Sequence, residues 1–141
     1  MSKIKGLSIR RSYHPVKETI NILQEYLQQH GATIYARIDQ QAEAGKVGQH
    51  LLPLQFLLFG NPNRGVPAIQ QNPVTALDLP LKIVVWEDEK QKKWIAYNKS
   101  GYIRKRYELP ATFDSPFNIE LLLDAALPLQ QPEIKTKKLN K

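Results

Sequence analysis

At 141 residues, with 42% hydrophobic and 23% charged residues, the chain is long enough for one soluble domain that buries roughly two-thirds of its unfolded surface. Zero cysteines exclude disulfides, thiolate metal ligation, iron–sulfur clusters and cysteine nucleophiles, and no apolar stretch approaches the roughly 20 residues of a membrane-spanning helix. The net charge of +7 gathers at the two ends, +4 in residues 1–12 and +3 in residues 128–141, so residues 13–127 are neutral, which argues against a basic nucleic-acid face.

Leu7, Ile9 and Tyr13 alternate with polar neighbours and predict a first strand. His14-Pro15 opens a helix in which Val16, Ile20, Leu23 and Leu27 form one stripe; His30-Gly31 closes it, glycine supplying the left-handed position past the helix end. Residues 32–39 are rich in β-branched and aromatic side chains and predict a second strand, whose terminal Asp39 can cap a short helix over residues 40–47. Residues 54–59 are almost continuously apolar, the pattern of a strand covered on both faces or lying in the middle of a sheet, and Gly60-Asn61-Pro62 ends it as a polar loop. Pro67 and Pro73 each start a short helical turn in the segment that follows.

Residues 80–88 and 93–98 are strands joined as a hairpin by the polar connector 88–92. Ser100 is read as the cap of a helix running through Tyr107. Ser115-Pro116 is read as the start of a last helix, with Ile119, Leu122, Leu123 and Ala126 on one stripe and Pro128 as its stop. The order β-α-β-α-β-α-β-β-α-α predicts a single two-layer α+β domain over residues 1–127, a mixed sheet of about five strands packed by helices. A basic, flexible tail follows at residues 128–141. The positively charged N-terminus is not followed by an apolar signal-peptide core, and the expectation is a cytoplasmic protein without a membrane partner.

Four blocks recur in a known arrangement: Ala36-Arg37-Ile38-Asp39, then Leu58-Phe59-Gly60-Asn61-Pro62-Asn63-Arg64-Gly65, then Ala76-Leu77-Asp78-Leu79-Pro80-Leu81, then Val85-Trp86-Glu87-Asp88 with Tyr97-Asn98 after it. Over about residues 12–108 the chain resembles the domain of unknown function 302 family. The resemblance implies a small bacterial or archaeal α+β domain with helices against one sheet, a homodimer as its expected assembly, and no settled activity. Two positions depart from the family pattern: Gln40 stands where members usually carry His, and Ile69 lies near where they often carry Met.

Candidate chemistry centres on the loop. Gly60, Asn61 and Gly65 tolerate positive φ, and a loop entering a helix can present backbone N–H groups to an anion with Arg64 beside it; the plainer reading is a tight strand exit in which Asn bonds its own backbone. Asp39 and Asp78 are expected near strand ends beside that loop, either as an acid–base pair or, more plainly, as caps. His14, His30 and His50 are scattered, so no metal or other cofactor is expected, and no serine sits in a nucleophile context. Trp86, Trp94, Tyr97, Tyr102 and Tyr107 interleave with Lys92, Lys93, Arg104, Lys105 and Arg106 as a single-strand stacking platform would, although Asp88, Glu89 and Glu108 dilute it. The reading is a binding or accessory domain for a small anionic or polar ligand at Asp39, Gly60, Asn61, Arg64, Asp78 and Tyr97. The alternatives are an enzyme using Asp39 or Asp78 as an acid–base group and a nucleic-acid binder through residues 92–107.

Overall fold

A computed structural model describes residues 4–113 and 118–128. Its elements are β1 (Leu7–Ser12), α1 (Val16–Gln29), β2 (Thr33–Asp39), α2 (Gln40–Lys46), β3 (Leu54–Gly60), α3 (Pro62–Gln71), a 3₁₀ turn (Pro73–Leu77), β4 (Leu81–Glu87), β5 (Lys93–Asn98), α4 (Ser100–Arg106) and α5 (Ile119–Ala126). The strands form one sheet in the order β1-β5-β4-β3-β2. This is the α+β domain the element order predicts, with one correction: every pairing is antiparallel, so the sheet is not mixed. The cause is where α1 delivers the chain. It carries it from β1 at one edge to β2 at the other, so these two strands, although they run the same way, never become neighbours.

The apolar stripe of α1 buries Val16, Ile20, Leu23 and Leu27 against Leu57, Phe59, Ile83, Val85 and Ile95, and α5 adds Ile119, Leu122 and Leu123 to the same core. Each such fully buried side chain contributes on the order of 1.5–3 kcal/mol. Polar side chains pin the margins of this layer. Arg37 on edge strand β2 donates to Asn21 and Gln24 of α1 and to Gln55 of β3, and Arg10 of β1 donates to Asp124 of α5 at 2.9 Å. Ser12 and Thr19 share a buried hydroxyl–hydroxyl bond of 2.7 Å. Gly31 takes φ +84 just past α1, as the helix stop requires.

β3 lies inside the sheet but is covered on one face only: burial alternates along it, with Gln55, Leu57 and Phe59 inside and Leu54, Phe56 and Leu58 partly exposed. The apolar run does not report two covers; it reports apolar residues on an open face as well.

Three local expectations change. Residues 60–65 are not a loop: Asn61 is the N-cap of α3, Pro62 its first residue, and Pro67 lies inside the helix instead of starting one. Ser100 does not cap α4, because Lys99 holds that position without a side-chain bond and Ser100 is the first helical residue. The cap of α5 is Asn118, which accepts from the Leu121 N–H at 3.2 Å, while Ser115-Pro116 and residues 129–141 lie outside the described residues.

Candidate functional site

Three cavities meet at the end of the sheet where β3 leaves into α3 and the chain returns through Leu79 to β4, and Leu79 and Leu81 line all three. The outer one, about 340 Å³, is walled by Tyr35, Gly60, Asn61, Pro62, Val66, Ile69 and Pro80, so its surface is chiefly apolar. The inner one, about 30 Å³, has Arg64 and Arg104, Ser100 and Thr75 among apolar Ala68, Ile103, Leu109 and Phe113. Thr75 is fully buried, and its Oγ1 has no hydrogen-bond partner among the described residues. A buried hydroxyl left unpaired costs about 1–3 kcal/mol, which makes Thr75 the site's clearest unmet polar demand. The third cavity, about 340 Å³, runs past Leu58, Asp78, Lys82 and Asn98.

Gly60, Asn61, Arg64 and Asp78 lie at this end of the sheet, with different jobs. The Asn61 side chain accepts from the Asn63 N–H at 3.0 Å, and its carbonyl accepts from the Arg64 and Gly65 N–H groups at 2.9 Å. Pro62 has no N–H, so the first-turn donors are already engaged and the expected anion cradle of backbone N–H groups is absent here. Nor does the loop use positive φ: Asn61 sits at φ −121, and the glycines with positive φ are Gly6, Gly31 and Gly48. The cationic side chains lining these cavities are Arg64 and Arg104 in the inner one and Lys82 in the third.

Asp78 ends the 3₁₀ turn, and its Oδ2 accepts from Arg106 Nη1 at 2.9 Å and from the Tyr107 hydroxyl. Burial, and next the Asp78 carboxylate beside it, push the Tyr107 hydroxyl above its ordinary pKa. Asn72 supports the same corner, donating to the Tyr107 carbonyl at 3.1 Å while capping the 3₁₀ turn.

Asp39 and Tyr97 do not join the site. Antiparallel pairing sets Thr33 opposite Gly60 and Asp39 opposite Gln55, so Asp39 lies about 17 Å away along β3. There it caps α2, accepting from the Ala42 N–H at 3.0 Å. The two carboxylates therefore form no acid–base pair. Tyr97 is buried in the core under the helices. The two departures from the family pattern separate in the same way, with Gln40 opening α2 at the far end and Ile69 lining the outer cavity.

The aromatic residues of the 92–107 region are engaged in packing and hydrogen bonds. Trp94 donates its indole N–H to Asp88 at 2.9 Å, Tyr102 packs on the core from its margin, and Tyr107 is buried. Asp88 is the organiser of the β4–β5 hairpin: its Oδ1 also accepts from the Lys90 and Lys92 N–H groups, and the Trp94 and Lys92 bonds hold its carboxyl below its ordinary pKa. Thr75 and Arg104 carry no pattern that marks them in the sequence; only the fold brings them to Arg64.

No helix among the described residues is long and apolar enough to cross a membrane, and no group of three or more His, Asp or Glu gathers among them to hold a metal ion. The chain is 32% identical over 109 residues to a protein of Brucella suis biovar 1 (strain 1330) named fluoride-specific ion channel FluC 1, the match covering 77% of this chain and 43% of that protein. Fluoride-specific ion channel FluC 2 of Brucella melitensis biotype 1 matches at 32% over 109 residues, covering 77% of this chain and 40% of the relative. The chain spans less than half the length of these curated relatives. In three dimensions it is similar to the crystal structure of an uncharacterized conserved DUF302 protein from Bacillus stearothermophilus, with a TM-score of 0.72 and 22% identity over 90% of this chain and 99% of that one. The family model for the domain of unknown function DUF302 spans residues 8–118, and the chain belongs to that family.

Proposed function

We propose that this domain is a cytoplasmic binding or accessory module that takes a small molecule with an apolar body and an anionic or polar end at the Leu79–Leu81 end of the sheet. One observation carries the reading: the fully buried hydroxyl of Thr75, without a partner among the described residues, lines a cavity together with Arg64 and Arg104, and that cavity shares two walls with a 340 Å³ apolar one. The combination of apolar walls with a few convergent polar groups is what small-ligand sites are made of. The apolar body would occupy the space between Tyr35, Val66 and Ile69, and its polar end would meet the arginines and the Thr75 hydroxyl. Thermal shift against a series of linear carboxylates of increasing chain length, with inorganic phosphate as the compact control, tests it. Stabilisation should rise with chain length and fall in Arg64→Ala and in Thr75→Val.

A second reading concerns assembly. The relatives named as fluoride channels are more than twice as long as the stretch they share with this chain, and a channel needs spanning segments of roughly 20 apolar residues that the described part of this chain lacks. We infer that the domain accompanies a membrane protein and does not itself conduct ions. Purification of this chain with the remainder of the Brucella suis relative, expressed separately in detergent, tests this; no association between the two removes it.

A further inference from the structure

The fold concentrates charge that the sequence spreads out. Residues 99–106 carry Lys99, Arg104, Lys105 and Arg106 with no acid among them. The start of β1 brings a fifth cation: the Lys99 N–H donates to the Gly6 carbonyl at 2.8 Å, Gly6 lies against the Tyr102 ring, and Lys5 precedes it. The 3₁₀ turn closes the same corner through the Arg106–Asp78 ion pair and the hydrogen bond from Asn72 to the Tyr107 carbonyl. Asp78 neutralises Arg106, and Arg104 lines the inner cavity. Lys5, Lys99 and Lys105 are left as exposed cations that form no ion pair among the described residues.

Aliphatic side chains stand exposed at this corner as well. Ile4 is 70% exposed beside Lys5, and Leu77 is 72% exposed beside Asp78. Leu121, 65% exposed, lies in the first turn of α5, which the hydrogen bond from Ser8 to Glu120 holds at the start of β1. The acids of these segments are Asp78 and Glu120, both engaged, and Glu108 past the end of α4. We propose that this corner docks the domain on an anionic phospholipid surface. The three lysines would meet the charged headgroups, and Ile4, Leu77 and Leu121 would enter the boundary between headgroups and acyl chains. Unpaired cations interspersed with protruding aliphatic side chains are what an interfacial membrane contact is made of. Each lysine beside an anionic leaflet is worth about a fivefold change in partitioning, so the attachment is reversible and salt-sensitive.

Nucleic acid fits this corner less well. Single strands need exposed ring faces on which bases stack. Here Tyr102 is packed against Gly6 and the margin of the core, and Tyr107 is buried. Phosphate contacts alone would leave Ile4, Leu77 and Leu121 in water, whereas a lipid surface covers them. Residues 128–141 carry a further +3, so the folded corner is distinguished from that stretch by substitutions made in the full chain.

Co-sedimentation of the full chain with vesicles of phosphatidylcholine, alone or with about one third phosphatidylserine, tests the proposal at low and high salt. The protein should pellet with the anionic vesicles only and be released by salt. The triple variant Lys5→Glu/Lys99→Glu/Lys105→Glu should weaken partitioning by at least about a hundredfold. Ile4→Ser/Leu77→Ser, which leaves every charge in place, should weaken it roughly tenfold. If the charge variant fails to fold, the aliphatic variant and a Lys5→Gln/Lys99→Gln pair carry the test. Wild type that ignores anionic vesicles would overturn the proposal. So would variants that bind as wild type does, which would assign the attachment to residues 128–141, or an aliphatic variant alone that binds undiminished. Binding of single-stranded DNA that the lysine variant loses and the aliphatic variant keeps, without vesicle binding, would assign the corner to nucleic acid instead.

Discussion

Replacing Asp78 with alanine tests whether this carboxylate is structural. Its Oδ2 serves two donors at once, Tyr107 from the core and Arg106 from the surface, and together they tie the end of the 3₁₀ turn to α4. Tyr107 is only 5% exposed, so its hydroxyl finds no ready replacement in water. A hydrogen bond to a charged group contributes about 1.5–3 kcal/mol. The Arg106 side chain is 47% exposed, so the ion pair adds at most about 1 kcal/mol after solvent screening. The expected loss is about 2–4 kcal/mol, or roughly 6–12 °C in Tm for a domain of this length. Tyr107→Phe removes one donor and leaves the carboxylate with Arg106 and solvent, so it should cost only about 1 kcal/mol. Thermal and urea unfolding of both single variants and the double variant give the coupling energy, which should exceed about 1 kcal/mol.

The same pair has a pH signature. Because the folded Tyr107 hydroxyl titrates above its unfolded value near 10, its contribution is whole below pH 10 and is lost as pH rises through the folded pKa, and Tyr107→Phe should flatten that alkaline limb. An Asp78→Ala variant that melts within about 2 °C of wild type, or a cycle with no coupling, would refute the structural assignment and return the carboxylate to the list of candidate functional groups.

Gly6 takes φ +78, and a Cβ there would run into the ring of Tyr102. Gly6→Ala should therefore destabilise by about 1–3 kcal/mol in urea unfolding, and in a Gly6→Ala/Tyr102→Ala double variant the steric part of that loss should vanish while the backbone part remains. Asp88 titrates below its ordinary value when folded, so its contribution is present above the unfolded pKa near 4 and is lost as pH falls through the folded one. Asp88→Ala should shorten the acid limb of the stability profile and shift Trp94 emission, and an unchanged acid limb would remove the hairpin role.

Much of this fold is legible in the residues because local signals and tertiary burial agree. The 16–20–23–27 stripe is the buried face of α1, Gly31 holds the left-handed stop, and Asp39 caps α2. The start of α3 was equally available: Asn followed by Pro is an N-cap followed by a first helical residue, yet beside Gly60 the same letters read as a turn. Sheet order was not available, because only the long-range pairing of β1 with β5 decides that β1 and β2 lie at opposite edges. With it went the position of Asp39, which is close to Gly60 in the strand pattern but separated from it by the full length of β3. Tyr97 shows the same limit: β5 is apolar on both faces, and only the placement of α1 and α5 makes Ile95 and Tyr97 the inner pair and Trp94 and Ala96 the outer one. Thr75 and Arg104 lie on separate elements from Arg64, and no spacing connects them.

The most direct test of the binding reading is the melting temperature of wild type, Arg64→Ala, Arg104→Ala and Thr75→Val against the carboxylate series. A ligand at 100 times its Kd stabilises by about 2.7 kcal/mol, roughly 8 °C here, and each substitution should remove most of that while leaving the ligand-free melt near wild type for the two arginine variants. Melting temperatures that no carboxylate raises, or that rise equally in all four proteins, would contradict a ligand site at the Leu79–Leu81 end of the sheet.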